Sequence, residues 1–263
     1  MKIIFRITTF IIATVSLAAC TKVVHVDLNS SDPKLVVEGS VTDQPGPYMI
    51  RLSRSVNFDA DNNLPPASGA VVTISDNISG ITDTLAETSP GYYYTHSITG
   101  VAGHTYLLTI KDNNGAMYTC ESTMPQPVSL DSVYVTNFSA FGNVSKQVTP
   151  VFKDPIGIKN FYRFIEYVDG KKLDRIFTYS DKYTDGLVNN IPIINRDTDV
   201  VTGNNLKLEM QCIDENSYNY LNSLDQSSLG ESSTPGNPIG DISGGALGYF
   251  NAYTMTSRSI TVP

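Results

Sequence analysis

From residue 34 to residue 124, short stretches of alternating apolar and polar residues follow one another. Leu35, Val37, Gly39 and Val41 fall on one face of an extended chain, with Val36, Glu38, Ser40 and Thr42 on the other. Tyr48, Ile50 and Leu52 alternate with Met49, Arg51 and Ser53, and the period continues through Ala70, Val72 and Ile74, through Tyr92 and Tyr94, and through Tyr106, Leu108 and Ile110. Turn-forming runs separate these stretches: Gln44-Pro45-Gly46-Pro47, Pro65-Pro66, Pro90-Gly91 and Asp112-Asn113-Asn114-Gly115. About seven strands in some ninety residues is the size of an immunoglobulin-like sandwich.

Pro125-Gln126-Pro127 interrupts the pattern, which restarts at Val128, so residues 34–124 and 128–263 are expected to form two domains. In the second, residues 161–168 are aromatic and strand-like, Asp169-Gly170 is a hairpin signal and residues 206–213 form the cleanest strand in the chain. Asp214 stands where a helix N-cap belongs, and Tyr218, Leu221 and Leu224 define one face of a short helix over residues 217–224. A Ser, Gly and Pro-rich stretch over 227–245 then leads to two strand-like segments, 247–253 and 259–262. The expected fold is mainly β: an immunoglobulin-like or transthyretin-like sandwich, then a β-rich domain, sandwich or partial barrel, with one short helix.

The N-terminus changes the picture of where such a body resides. Lys2 and Arg6 precede an apolar stretch over 7–17, closed by Leu17-Ala18-Ala19-Cys20, which reads as a secretory signal over residues 1–19. The apolar stretch is about half the roughly 20 residues a spanning helix needs. Small residues ending directly in cysteine resemble the bacterial lipobox, which makes Cys20 the site of lipid attachment and residues 20–33 a polar tether. Several acyl chains, at about 0.8 kcal/mol per buried methylene, would hold the chain on a membrane.

Among 263 residues there are 18 basic and 26 acidic; loss of Lys2 and Arg6 with the leader leaves 16 basic residues, a formal charge of −10 over 244 residues. Such a body has no basic surface for nucleic acid. Cys120 and Cys212 each sit in the apolar phase of a strand, so they are expected as buried free thiols in different cores rather than as a disulfide.

Val37-Glu38-Gly39-Ser40-Val41-Thr42-Asp43, Ser68-Gly69-Ala70-Val71-Val72-Thr73-Ile74, Pro90-Gly91-Tyr92 and Gly103-His104-Thr105-Tyr106-Leu107-Leu108-Thr109-Ile110, in that order, resemble the carboxypeptidase-regulatory, transthyretin-like class of sandwich. Pro235-Gly236-Asn237-Pro238, Ile242, Gly244-Gly245 and Leu247-Gly248-Tyr249-Phe250 add a C-terminal signature. With the lipobox, the whole chain resembles the Bacteroidetes lipoprotein family catalogued as domain of unknown function 4249. The resemblance implies a cell-envelope lipoprotein of the kind often encoded beside TonB-dependent outer-membrane receptors; it carries over no catalytic residue and no cofactor. The signature's glycines are read as backbone requirements, positive φ or close strand approach, because no Lys-Ser or Lys-Thr follows them as in a phosphate loop.

The residues themselves offer little catalytic chemistry. His25 lies in the tether, and His96 and His104 lie on or beside strands without grouped metal partners. Nucleophile-elbow, zincin and Walker motifs do not occur in the sequence. Glu38, Glu121, Glu166 and Glu209 could pair for glycoside hydrolysis, but each is in phase with polar neighbours and is expected on a solvated sheet face. The chain has no Trp, the commonest sugar platform, although its fifteen Tyr could substitute. Asp59-Ala60-Asp61-Asn62-Asn63 begins like a calcium loop, yet Leu64 takes the glycine position and Ala70 the place of the bidentate Glu. A second acidic patch runs through Asp181, Asp185, Asp197 and Asp199; solvated carboxylates and a weak calcium site are both open there. Tyr92 and Tyr94 are expected in the core, with Tyr93 facing outward as a candidate for a ligand or partner patch. Asp83-Thr84-Leu85 and Asp131-Ser132-Val133 resemble the acceptor triplet of Bacteroidetes O-glycosylation, marking Thr84 and Ser132.

The expectation is therefore a non-enzymatic binding or accessory module, lipid-anchored in the outer membrane and partnering a TonB-dependent receptor in solute uptake. The alternatives are a structural or adhesive envelope scaffold and a glycan-processing enzyme. Which membrane face it occupies and which solute it binds stay open at this point.

Overall fold

Strand β1 (Leu35–Thr42) alternates buried and half-buried positions along its whole length, and the same period organises the sheet partners that follow it. The computed structural model describes residues 32–57, 63–140, 143–194, 200–228 and 238–263. The leader, Cys20, His25, most of the tether, the Asp59-Ala60-Asp61-Asn62 stretch, Asp197, Asp199 and Pro235-Gly236-Asn237 lie outside the described residues. The protein is mainly β, with several sheets and, among the described residues, one α-helix.

One nine-stranded sheet runs through the body. Its spine is β17 (Leu247–Thr261), which pairs in parallel with β1 through its first half and antiparallel with β16 (Asn205–Ile213) through its second. Beyond β1 come β2 (Met49–Arg54), β6 (Tyr92–Tyr94) and β5 (Ala86–Ser89); beyond β16 comes β11 (Phe161–Val168), edged by β12 (Lys171–Lys172) and β13 (Phe177–Ser180). Asp169 and Gly170, both at positive φ, make the tight β11–β12 turn that the Asp-Gly pair predicted.

Among the described residues there are two further sheets, each four-stranded and each enclosing a separate core with part of the long sheet. The first joins β4 (Thr82–Thr84), β3 (Val71–Asp76), β7 (Thr105–Lys111) and β8 (Met117–Thr123). Its Val72, Ile74, Leu108 and Ile110 share a core with Val37, Ile50 and Leu52. The second joins β9 (Ser132–Ala140), β10 (Asn143–Lys153), β14 (Val188–Asn189) and β15 (Ile193–Ile194). Its Val133, Val148 and Phe152 meet Phe164, Leu208 and Met210.

The expected boundary at Pro125-Gln126-Pro127 separates the two cores along the chain, but the C-terminus crosses back. Ile242, Ala246, Phe250 and Ala252 belong to the N-terminal core, while Val262 belongs to the C-terminal one. The two strands expected at 247–253 and 259–262 are one strand of 15 residues. At about 3.3 Å per residue it extends on the order of 50 Å, enough to serve both sandwiches in turn. Its middle is polar in sequence because it is held by other means: Thr254 is buried, and the Thr256 hydroxyl donates to the Val128 carbonyl at 3.2 Å.

Gly248 permits the parallel pairing. It sits at φ +101° opposite Val37, and a Cβ there would lie 1.9 Å from the Val37 carbonyl oxygen. Gly244 and Gly245 are also at positive φ, so these glycines, with Gly248, meet backbone requirements. Gly248→Ala is expected to destabilise the fold by roughly 3 kcal/mol through strain and loss of the β1–β17 ladder. Urea unfolding followed by circular dichroism measures this, and a change under about 1 kcal/mol would contradict it.

Candidate functional site

The face of the long sheet turned away from the two cores presents the alternate residues of its strands. From β6 across to β11 these are Tyr92 and Tyr94, Met49 and Arg51, Glu38 and Ser40, Tyr249 and Tyr253, then Glu209 and Gln211, and finally Arg163. Helix α1 (Glu215–Ser228) lies over β17, β11 and β13 on this face. Asp214 caps it as its position predicted, accepting the Ser217 N–H at 2.8 Å, and the helix extends well past the residues the periodicity had marked. Leu221 is buried beneath it with Phe161 and Ile213. Two aromatic contacts fix its pitch: Tyr218 on Phe161, centroids 4.7 Å apart, and Tyr220 on Tyr249 at 5.2 Å.

A groove opens on either flank. The one towards β6 has a volume of about 570 Å³ and is lined by Glu38, Ser40, Met49, Arg51, Tyr92 and Tyr249. Arg51 donates from Nη1 to Glu38 Oε2 at 3.0 Å, and its guanidinium carbon lies 5.8 Å from the Tyr92 ring centre. The wall beyond is stiffened by Tyr48, whose hydroxyl bonds the Thr42 and Gln44 carbonyls at 2.8 and 2.7 Å and accepts the Gly100 N–H. The other groove, about 740 Å³, is lined by Lys159, Phe161, Asp181, Tyr183, Glu215 and Tyr218 among others. Both offer ring faces beside fixed polar groups, which suits a ligand with apolar faces and hydroxyl or amide edges.

Several residues singled out from the sequence fall elsewhere than expected. Tyr93, expected outward, is in the core at 1 % exposure, its hydroxyl bonding the Ala70 N–H at 3.0 Å; Tyr92 and Tyr94 are on the outer face. Three consecutive tyrosines carry no alternation of their own, and the register opposite core residue Ile50 turns Tyr93 inward. Glu38 and Glu121 are on accessible faces as expected, whereas Glu166 and Glu209 are buried. Glu166 stands opposite Leu208 in the core-facing phase of Phe164 and Val168, whereas Glu209 is in the polar, outer phase but is buried there beside Tyr167 and Tyr253. Glu209 accepts from Gln211 Nε2 at 2.8 Å. Burial first, then the neighbouring Glu209 charge, raises the Tyr167 hydroxyl, and the Tyr253 hydroxyl is pushed up to about 12 by the same causes.

Cys120 and Cys212 are free, buried and in different cores, as their phases predicted. Burial pushes the Cys212 thiol up to about 11; burial and the adjacent Asp241 carboxylate raise that of Cys120, which donates to Asp241 Oδ1 at 3.2 Å. His104 Nδ1 lies 2.9 Å from Asp76, and His96 is largely exposed 3.6 Å from Asp83. Thr84 and Ser132 are both exposed on strands. Asp83 itself is buried and accepts the N–H groups of His96, Ser97 and Ile98.

Asp181 and Asp185 of the second acidic patch do come together, with Asp154 as a third partner that sequence reading had not picked out. Burial first, and then the charges of Asp154 and Asp185, hold the Asp181 carboxyl above its ordinary range. Asp154 follows β10 at the start of Asp154-Pro155-Ile156-Gly157, a turn signal that could have flagged it.

A β protein of two sandwiches sharing one sheet, with aromatic grooves on the outer face of that sheet, is the class these features define. The family model of a domain of unknown function (DUF4249) matches residues 21–259, and the chain belongs to that family. No curated protein matches it. No helix among the described residues is long and apolar enough to cross a membrane.

The electrostatics lead to a pH dependence. Burial alone would raise the Asp76 carboxyl, but bonds from the Ser79 hydroxyl, His104 and the Ile78 and Ser79 N–H groups outweigh it and hold the group at about 2. Because this lies below the ordinary 3.8, Asp76 stabilises the fold above about pH 4 and loses that contribution as pH falls towards 2. Asp76→Asn should therefore cost stability at pH 6 and much less at pH 2, read as urea midpoints; equal losses at both would show that its charge does not matter.

Proposed function

We propose that this chain is a Bacteroidetes outer-membrane lipoprotein, anchored through Cys20, that binds a solute or partner as an accessory to a TonB-dependent receptor. The reading takes the N-terminal sandwich as transthyretin-like and assigns no catalytic residue and no cofactor. Its address rests on the Leu17-Ala18-Ala19-Cys20 sequence and its partner on the family resemblance.

The observation that carries a binding role is the groove beside β6. Arg51 is held between Glu38 and the Tyr92 ring on a paired sheet, so its donors are oriented before a ligand arrives. Preorganised arginine and tyrosine groups are the residue types that dominate binding energy at interfaces. A structural or adhesive scaffold is favoured by a different feature: one strand ties two sandwiches into a common sheet, a stiff spacer well suited to carrying load.

Affinity capture of the acylated protein from detergent-solubilised envelopes, with mass spectrometry, tests the proposal. One TonB-dependent receptor is expected at near-stoichiometric yield, and Cys20→Ala should abolish its recovery by removing the anchor. Arg51→Ala, which keeps the anchor, should weaken capture by roughly 30-fold, the effect of truncating an interface arginine worth about 2 kcal/mol. Recovery of no specific receptor would overturn the accessory role and leave the scaffold.

A further inference from the structure

Asp154, Asp181 and Asp185 bring carboxylate oxygens within 4.8 Å of one another where β10, β11 and β13 end. Asp154 and Asp181 are only 1 % and 3 % exposed, while Asp185 is exposed at the rim. Neutral donors orient all three. Asp154 accepts the Tyr162 hydroxyl and the Gly186 N–H at 3.1 Å; Asp181 accepts the Asn160 N–H and Asp185 the Gly157 N–H, each at 2.7 Å. Such bonds set geometry without neutralising charge. Of the two nearby lysines, Lys159 acts on Asp181 from the surface, where it is paired with Glu215, and Lys182 lies over the Tyr183 ring; both lie outside the buried cluster. Carboxylates gathered and buried in this way are costly unless a positive charge sits among them.

An independent feature points at what that charge is. The side-chain oxygen of Asn160, a residue 7 % exposed, is buried without a hydrogen-bond partner. The β11–β13 register, Phe161 opposite Ser180 and Tyr162 opposite Tyr179, continues one rung to Asn160 opposite Asp181, where the Asp181 N–H donates to the Asn160 carbonyl at 3.2 Å. Directly opposed residues project from the same face. Asn160 thus leaves the sheet on the side of Asp181 and of Tyr162, the residue that reaches Asp154. An orphan amide oxygen on the residue opposite Asp181, on the same side of the sheet, adds a hard oxygen donor to the three carboxylates.

We propose that Asp154, Asp181, Asp185 and the Asn160 side-chain oxygen form a calcium site at the ends of β10, β11 and β13. Ligand oxygens on Ca²⁺, at about 2.4 Å from the ion, lie at most about 4.8 Å apart, and Ca²⁺ accepts mixed carboxylate, amide and water oxygens in an irregular shell. Mg²⁺ demands a tighter octahedron, and Zn²⁺ favours nitrogen and sulfur. The ion would clip the turn over residues 181–187 to the ends of the C-terminal sandwich. This site is separate from the groove beside β6 that carries the proposed function, although Asp181 also lines the other groove.

The full chain, purified in detergent and stripped with EGTA, is titrated with Ca²⁺ by calorimetry and then with Tb³⁺, whose emission Tyr162 beside Asp154 would sensitise. One saturable site is expected, with half-saturation on the order of 0.1–1 mM as in extracellular calcium modules. A rise in melting temperature should accompany it. Asp185→Asn keeps an acceptor for Gly157 at an exposed position, so it should leave the metal-free melting temperature unchanged and weaken Ca²⁺ binding at least about tenfold. Asn160→Ala should also weaken binding. Absence of heat and of tyrosine-excited Tb³⁺ emission up to 10 mM ion, or binding by Asp185→Asn equal to wild type, would overturn the site.

Discussion

The pairing of the last strand with the first holds this structure together. β17 runs parallel to β1 and then antiparallel to β16, so the chain end is a central strand of the long sheet and a wall of both cores. Parallel pairing of segments some two hundred residues apart carries a loop-closure cost that only the buried contacts repay. Neither sandwich is therefore complete until residues 242–262 are in place. The two cores are chemically separate but mechanically one sheet.

That arrangement also creates the surfaces available for function. A sheet that is one wall of two sandwiches leaves its opposite face over, and α1 covers only the part of it formed by β17, β11 and β13. The flanks become grooves whose floors are backbone-paired strands and whose walls are tyrosines and Arg51. Under and beside the helix the same face becomes an interior, where Glu209, Gln211 and Asn251 are buried. Polar residues in one sheet phase thus serve as groove lining at one end and as buried scaffolding at the other.

Much of the β architecture was legible along the chain because one face of most strands meets a core. β1, β3 and β7 follow their period of two, the Asp169-Gly170 hairpin and the Asp214 cap obey local rules, and each free thiol lies in its strand's apolar phase. The failures occur where local pattern is silent. Three tyrosines in a row cannot reveal their phase, the middle of β17 is polar although structured, Glu209 looks solvated until the outer face of its sheet is seen covered, and Glu166 shares the core phase of Phe164 and Val168. The Asp154-Pro155-Ile156-Gly157 turn marks Asp154 locally, but nothing in that turn foretells its partners Asp181 and Asp185.

By itself the sequence determined the strand content, the local turns and caps, the separation of the two thiols and the membership of a family, since each depends on short-range periodicity or a short motif. Only the tertiary structure decided that two cores share one sheet, that Arg51, Tyr92 and Tyr249 line one groove, and that three carboxylates distant in the chain converge. Those outcomes depend on register between strands distant in the chain, and register is set by burial on both faces of a sheet at once.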